Sequence, residues 1–260
     1  MKNDIQIVRT AADLSRVTES WKAENLKIGF VPTMGALHDG HLSLVKLALE
    51  NADRCIVSIF VNPTQFAPHE DFGRYPRDEV GDTAKLAGAG THLVYMPEAK
   101  EIYPDGPVST IKAGKAAQGL EGDFRPTHFD GVATVVHRLF EQVRPDIAVF
   151  GEKDFQQLQV IREMVAAHNM GVEIIGAPII RDAYGLALSS RNAYLSADEL
   201  NAARQLNLIL SATTKGGNIQ AAKSAVLAAG FTKIDYIERR WGRLLAAAWI
   251  GKTRLIDNME

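Results

Sequence analysis

Val31-Pro-Thr-Met-Gly-Ala-Leu-His-Asp-Gly-His41 leaves an apolar run at residues 28 to 32 and enters a segment in which Leu42, Val45 and Leu49 share one helical stripe. A strand that ends in a glycine-containing turn and passes directly into a helix is the opening unit of a parallel α/β fold. Its turn lies at the strand's carboxyl end, where such sheets bind ligands. Gly35 and Gly40 let the backbone approach a ligand closely, the helix amino terminus offers unpaired N–H donors, and His38 and His41 can point at the same oxygens. The stretch therefore reads as a phosphate site, although taken alone it also reads as a turn with two surface histidines. It lacks the Gly-Lys-Ser/Thr ending of a Walker loop and the spacing of a dinucleotide fingerprint. His-x-x-His spacing admits a zinc pair too, but without an intervening glutamate and with one cysteine in the chain, and no metal site is assigned.

Outward from this unit, apolar runs at residues 55 to 61, 92 to 96, 147 to 150 and 172 to 179 read as further strands. Between them, Leu14, Val17 and Trp21 form one helical stripe, and Val132, Val135, Val136, Leu139, Phe140 and Val143 follow the 3.6-residue period. Strands alternating with helices predict a doubly wound parallel sheet with right-handed crossovers over residues 1–180. After Arg181 the pattern changes. Asp-Ala-Tyr-Gly gives a turn, Ser196 to Glu199 offers a capping box stapled by Leu195 and Leu200, and helical stretches at 196 to 214 and 218 to 229 precede strand-like runs at Ile234 to Ile237 and Leu244 to Ile250. Residues 181–260 are thus expected to form a smaller α+β unit.

Composition narrows the partners. The chain has 260 residues, 46% of them apolar, enough for a full core, and 29 basic against 31 acidic residues leave no broad electrostatic footprint for nucleic acid or a membrane surface. Partners are expected to be small molecules. Cys55 sits in the run Cys-Ile-Val-Ser-Ile-Phe-Val, where a buried thiol would be inert, and no signal peptide or ~20-residue apolar span is visible, so a cytoplasmic location is expected.

Three more clusters stand at strand ends or just beyond. Phe60-Val-Asn-Pro-Thr-Gln-Phe66 stops an apolar strand at Asn62-Pro63 and presents Gln65, whose neutral amide suits a hydroxylated or carboxylate substrate; an ordinary Asn-Pro turn is the other reading. Val149-Phe-Gly-Glu-Lys-Asp-Phe-Gln-Gln157 runs from a strand through glycine into a helix and offers Lys153 to phosphates, while Asp154 and Gln157 also match a capping box. Leu188-Ser-Ser-Arg191 pairs hydroxyls with a guanidinium, as a phosphate clamp or a solvated turn. The segment 120 to 131 reads as a loop that could close over substrate, and Asp71, Arg74, Arg77, Asp78 and Asp82 read as a solvated face.

Together these clusters indicate nucleotide chemistry at the rim of a parallel sheet. The ordered set Pro32 to His41, Phe60 to Phe66, Phe150 to Gln157 and Leu188 to Asn192 resembles the signature segments of the pantothenate synthetase family over nearly the whole chain. The resemblance implies a Rossmann-like nucleotidyltransferase-type domain with a carboxyl-terminal lid, and condensation of pantoate with β-alanine through a pantoyl adenylate, with release of pyrophosphate and AMP. Carried residue by residue, it implies that Met34, Gly35, Ala36, Leu37, His38, Asp39, Gly40 and His41 bind ATP, with His41 as proton donor assisted by His38. It further implies ATP contacts from Gly151, Glu152, Lys153, Asp154, Ile180, Leu188, Ser189, Ser190 and Arg191, and pantoate contacts from Gln65 and Gln157. Magnesium carried with ATP and a homodimer through the larger domain are implied as well. Two departures stand out: Thr64 where several members carry methionine, and a lid in which only Trp241 and Gly242 separate runs that the family joins by a longer stretch. Two other readings stay open, a nucleotidyltransferase acting on a phosphorylated acceptor and a nucleotide-binding regulatory module.

Overall fold

The computed structural model describes residues 5–66, 72–214 and 216–260. In chain order the larger unit contains β1 (Gln6–Val8), α1 (Ala11–Ala23), β2 (Ile28–Thr33), α2 (Asp39–Asn51), β3 (Arg54–Ile59), α3 (Glu79–Gly88), β4 (Leu93–Tyr95), α4 (Ala99–Ile102), α5 (Glu121–Phe124), α6 (His128–Val143), β5 (Ile147–Gly151), α7 (Phe155–Ala167) and β6 (Glu173–Ala177). The smaller one contains α8 (Ala197–Thr214), α9 (Ile219–Ala228), β7 (Lys233–Arg240), β8 (Arg243–Ile250) and β9 (Thr253–Met259). The expected strands and the doubly wound class are thus present, together with two strands that the apolar runs do not predict. β1 is three residues long and exposes Gln6 and Ile7, too little for an apolar signal. β9 carries Arg254, Asp257 and Asn258, whose polarity conceals a strand buried against its neighbours.

All six strands of the larger sheet are parallel, in the order β1-β4-β3-β2-β5-β6. Side chains alternate between two buried faces. Phe30, Ile56, Ala148 and Phe150 pack with α6 and α7, whereas Val31, Cys55, Val57 and Val149 pack with α2 and α3. Burial of Cys55 pushes its thiol up to about 12, which keeps it protonated and unreactive. The predicted stripe on α6 is buried throughout, whereas that on α2 is rotated: Leu44, Val45 and Ala48 are buried and Leu42 and Leu49 only partly.

Strand order reverses at β2, which has β3 on one side and β5 on the other. The two chain directions diverge there, so a crevice opens at the carboxyl ends of β2 and β5. The loop after β2 and the turn after β5 form its two lips.

The smaller unit is an antiparallel sheet β7-β8-β9 covered by α8 and α9. The Ser196 capping box forms as expected: Ser196 N–H donates to Glu199 Oε2 at 2.9 Å, and Glu199 N–H to Ser196 Oγ at 3.3 Å. β7 and β8 meet in a two-residue turn, Trp241 at φ 53° and Gly242 at φ 76°, the double left-handed geometry of a tight hairpin. Trp241 packs near Phe155, and Arg240 donates to the Gln118 carbonyl, so the short hairpin ends against the larger unit. Tyr236, Leu245 and Ala247 share the large core with Phe30 and Phe155. Among the described residues, no helix is long and apolar enough to cross a membrane.

Candidate active site

The turn after β2 is held in two consecutive left-handed residues, Gly35 at φ 81° and Ala36 at φ 51°. Behind it lies Asp82 of α3, which is 1% exposed and accepts the N–H groups of Ala36 and Leu37, both at 2.8 Å. This corrects the reading of Asp82 as part of a solvated face. Among its neighbours, Asp78 caps α3 through the Gly81 N–H and Arg77 covers the Phe72 ring; Asp71 and the Arg74 side chain lie outside the described residues.

Two of the N–H donors expected to be free at the start of α2, those of Gly40 and His41, are engaged. His38 is the amino-terminal cap and its Nδ1 accepts the Gly40 N–H at 3.2 Å, while His41 Nδ1 accepts the His38 N–H at 3.3 Å. The His41 N–H reaches the His38 carbonyl at 2.7 Å. The N–H groups of Ala36 and Leu37 are thus taken by Asp82 and those of His38, Gly40 and His41 within the loop, and the loop's side-chain donors at the cleft are the two imidazoles. Each ring accepts at Nδ1, so each carries its proton on Nε2, and the rings lie 4.2 Å apart at the cleft. Burial, with His38 and Lys153 nearby, pushes His41 down to about 3; burial and Lys153 also lower His38. Both are neutral N–H donors at neutral pH.

The cleft at the switch point has a volume of about 250 Å³. From the first loop it takes Met34, His38, Gly40 and His41; Gly35, Ala36, Leu37 and Asp39 are off its wall, and Leu37 is buried in the core. From the turn after β5 it takes Gly151, Lys153 and Asp154, whereas Glu152 turns away to pair with Arg243 at 2.8 Å. Lys153 Nζ lies 3.8 Å from Asp154 Oδ2. Asp154 makes no side-chain cap to α7, so the expected Asp-Gln capping box is not formed and the carboxylate stays at the cleft. Ile180, Leu188, Ser189, Ser190 and Arg191 line the opposite edge, with Ser189 Oγ accepting the Arg191 N–H at 3.3 Å. Gln65 and Gln157 also reach the wall, and for Gln65 the fold uses the backbone carbonyl, which His128 Nδ1 meets at 3.1 Å.

Several wall residues lie outside the set that the sequence assigns to ligands. Phe60, Val132, Val135, Val136 and Leu139 make an apolar side, although the stripe on α6 reads by its period as core packing alone. Arg125 and His128 come from the segment expected to close over substrate and line both this cleft and a larger cavity of about 760 Å³ beneath the small sheet. Asn62, 1% exposed, accepts from Tyr103 at 2.7 Å and donates to the Gly131 carbonyl at 3.2 Å, which fastens the Gln65 turn to α6; Thr64 joins it through Tyr103 at 3.0 Å. Its Asn-Pro context, suggestive of a plain turn, hides that role.

Comparison with known proteins agrees with this arrangement. The family described as Pantoate-beta-alanine ligase matches residues 6–260. The chain is 50% identical to a pantothenate synthetase of Rhodospirillum rubrum, with 98% of each chain covered, and 52% identical to one of Mesorhizobium japonicum, with 98% of this chain and 97% of the relative covered. Its structure matches pantothenate synthetase from Thermus thermophilus with TM-score 0.89 at 40% identity, covering 98% and 99% of the two chains. It matches the pantoate-beta-alanine ligase of Francisella tularensis, complexed with beta-gamma ATP and beta-alanine, with TM-score 0.91 at 38% identity, covering 98% and 97%. A switch-point cleft with paired imidazoles, a lysine and a hydroxyl-guanidinium edge, in a chain matched end to end by these relatives, places the protein plainly: it belongs to the pantoate-beta-alanine ligase family.

Proposed function

We propose that this chain catalyses the ATP-dependent condensation of pantoate with β-alanine to pantothenate. The reading is carried by one observation: His38, His41, Lys153 and Ser189 to Arg191, which suit a polyphosphate, share a cleft with Gln65, Gln157 and an apolar wall, which suit a hydroxylated, branched acid. In the first step a pantoate carboxylate oxygen attacks the α-phosphorus of ATP, the bond to the bridging oxygen breaks, and pyrophosphate leaves. In the second, the β-alanine nitrogen attacks the acyl carbon of the pantoyl adenylate, the bond to AMP breaks, and the amine gives up a proton. Charge grows on the bridging oxygen only in the first step, where the two Nε2–H groups, Lys153 and Arg191 would stabilise it without first having to reorganise. Ile180 would lie against adenine. The neutral glutamine pair disfavours a phosphorylated acceptor, and a regulatory module needs no acceptor wall.

Magnesium would enter with the nucleotide's phosphates, facing Asp154, the one carboxylate on the cleft wall among the described residues. Residues 1–180 would act as the ATP and pantoate domain and 181–260 as a lid, a division supported by their separate sheets. A homodimer through the larger domain belongs to the same reading, and sedimentation equilibrium tests it. The decisive experiment is exchange of labelled pyrophosphate into ATP: it should require pantoate and not β-alanine. Exchange that also needs β-alanine would replace the adenylate with a concerted ternary reaction.

A further inference from the structure

α3 lies behind the loop that carries His38 and His41 and holds it at three points. Asp82 takes the two successive N–H groups of Ala36 and Leu37, one on each carboxylate oxygen. One turn further on, Lys85 Nζ donates to the Leu37 carbonyl at 2.7 Å and stands 3.9 Å from Asp82 Oδ1. Neither side chain is on the cleft wall. Successive N–H groups of a turn can converge on one point, as those of Ala36 and Leu37 do, and make a concavity that elsewhere receives anions. In this chain the anion is the protein's own carboxylate, so those two amides are not available to a nucleotide and the side-chain donors that this loop brings to the cleft are the imidazoles.

Resting on the proposed function, we propose that Asp82, supported by Lys85, is a positioning residue for the histidine pair. By holding Ala36 in a conformation that L residues rarely adopt, it sets the path of the backbone into His38. The His38 N–H then meets His41 Nδ1, the His38 ring caps Gly40, and both residues line the cleft with Nε2 left for a ligand. The carboxylate's charge is compensated by two N–H groups and Lys85, so it can stand behind a polyphosphate site without an unpaired charge.

Asp82→Asn tests this with almost no change in volume: its amide can accept from one N–H but turns an NH2 toward the other. Four readouts are compared with the unchanged chain: pantoate-dependent pyrophosphate exchange, aminolysis of preformed pantoyl adenylate, KM for pantoate, and the imidazole nitrogen shifts of the substrate-free protein. The expected result is an exchange rate lower by up to about 10²-fold, the scale of a ~1 Å misplacement. Aminolysis and KM for pantoate should be nearly unchanged, and the His41 pattern should lose its single Nε2–H tautomer. Ala36→Gly added to Asp82→Asn should recover part of the rate, because glycine takes a positive φ without strain. Lys85→Met, which removes the carbonyl contact and the ammonium beside Asp82 but leaves both N–H bonds of the carboxylate, should shift the same readouts less. A lowered melting temperature with unaltered imidazole shifts and exchange per folded molecule would overturn the proposal, as would equal slowing of both steps. If the unchanged chain showed no pantoate-dependent exchange, the functional reading would fail on its own, and the imidazole shifts would still decide whether Asp82 sets the histidine geometry.

Discussion

His38 and His41 each give Nδ1 to a backbone N–H, which leaves Nε2 of two residues on the cleft wall for chemistry. If His41 donates to the bridging oxygen, His41→Ala should slow adenylation by about 2.7–4 kcal/mol, or ~10²–10³ in rate, and leave aminolysis of preformed adenylate nearly unchanged. Single-turnover measurements with ATP and pantoate, and separately with pantoyl adenylate and β-alanine, check this. The same burial has a stability consequence. His41 is held down to about 3 from 6.5 in the folded chain, so between these values the unfolded state binds the proton and the folded state does not. Stability should therefore be full above about pH 6.5 and fall as pH drops toward 3. His41→Gln should flatten that loss between pH 7 and 5 in urea titrations, although the lowered His38 and His92 keep part of it. For the two amides, Gln65→Ala and Gln157→Ala should each weaken pantoate use by about 1–3 kcal/mol with ATP affinity in calorimetry little altered. Equal losses for both ligands would contradict their assignment to the acid.

At the scale of elements, the turn after β5 depends on a strand more than a hundred residues away. Asn258 of β9, 2% exposed, donates from Nδ2 to the Glu152 carbonyl at 2.8 Å and to the Lys153 carbonyl at 3.1 Å. Its Oδ1 accepts from Arg243 at 2.8 Å, and Arg243 also pairs with Glu152. The last strand of the small sheet thereby fixes the backbone from which Lys153 enters the cleft. Asn258→Ala would leave buried acceptors without donors and should cost about 1–3 kcal/mol of stability. It should also raise KM for ATP more than KM for pantoate, since the loosened residue faces phosphate. The two-residue hairpin has the same logic: Arg243 follows Gly242 directly, so the short turn delivers the guanidinium that orients Asn258.

Across the whole molecule, the two units join through a buried polar cluster. Glu121 accepts from Tyr236 at 2.7 Å and from Arg254 at 2.7 Å, while Arg254 also reaches Asp235 at 2.7 Å and Trp249 donates to Asp235 at 3.0 Å. Burial opposes charge on Asp235, but its bonds from Arg254, Lys233 and Trp249 outweigh that and hold its carboxyl below the usual range. Glu121 belongs to the segment that brings Arg125 and His128 to the cleft, so the small sheet and that wall are tied together. Glu121→Ala leaves the guanidinium with one carboxylate and takes away the acceptor of the Tyr236 hydroxyl. It should destabilise the chain by about 1–3 kcal/mol, the cost of leaving a buried donor without its acceptor, because Arg254 keeps its bond to Asp235. Denaturant titration gives the magnitude, and limited proteolysis should show new cleavage at the seam before global unfolding.

Alternation of apolar runs with 3.6-residue stripes is sufficient for the parallel sheet apart from its short edge strand β1, because strand and helix periodicity is carried by neighbours in the chain. The four clusters were legible for the same reason, each being a local stretch at or near a strand end. The sequence could not disclose which polar residues would be buried. Asp82 has the look of surface until α3 brings it beneath residues 46 positions earlier, and Asn258 has the look of a tail until it meets the turn after β5. Glu121 likewise has no visible partner before Tyr236 and Arg254 fold over it. A charged side chain has the same local pattern whether it faces water or a distant backbone. Only the packing of segments far apart in the chain removes the water and makes the pairing necessary.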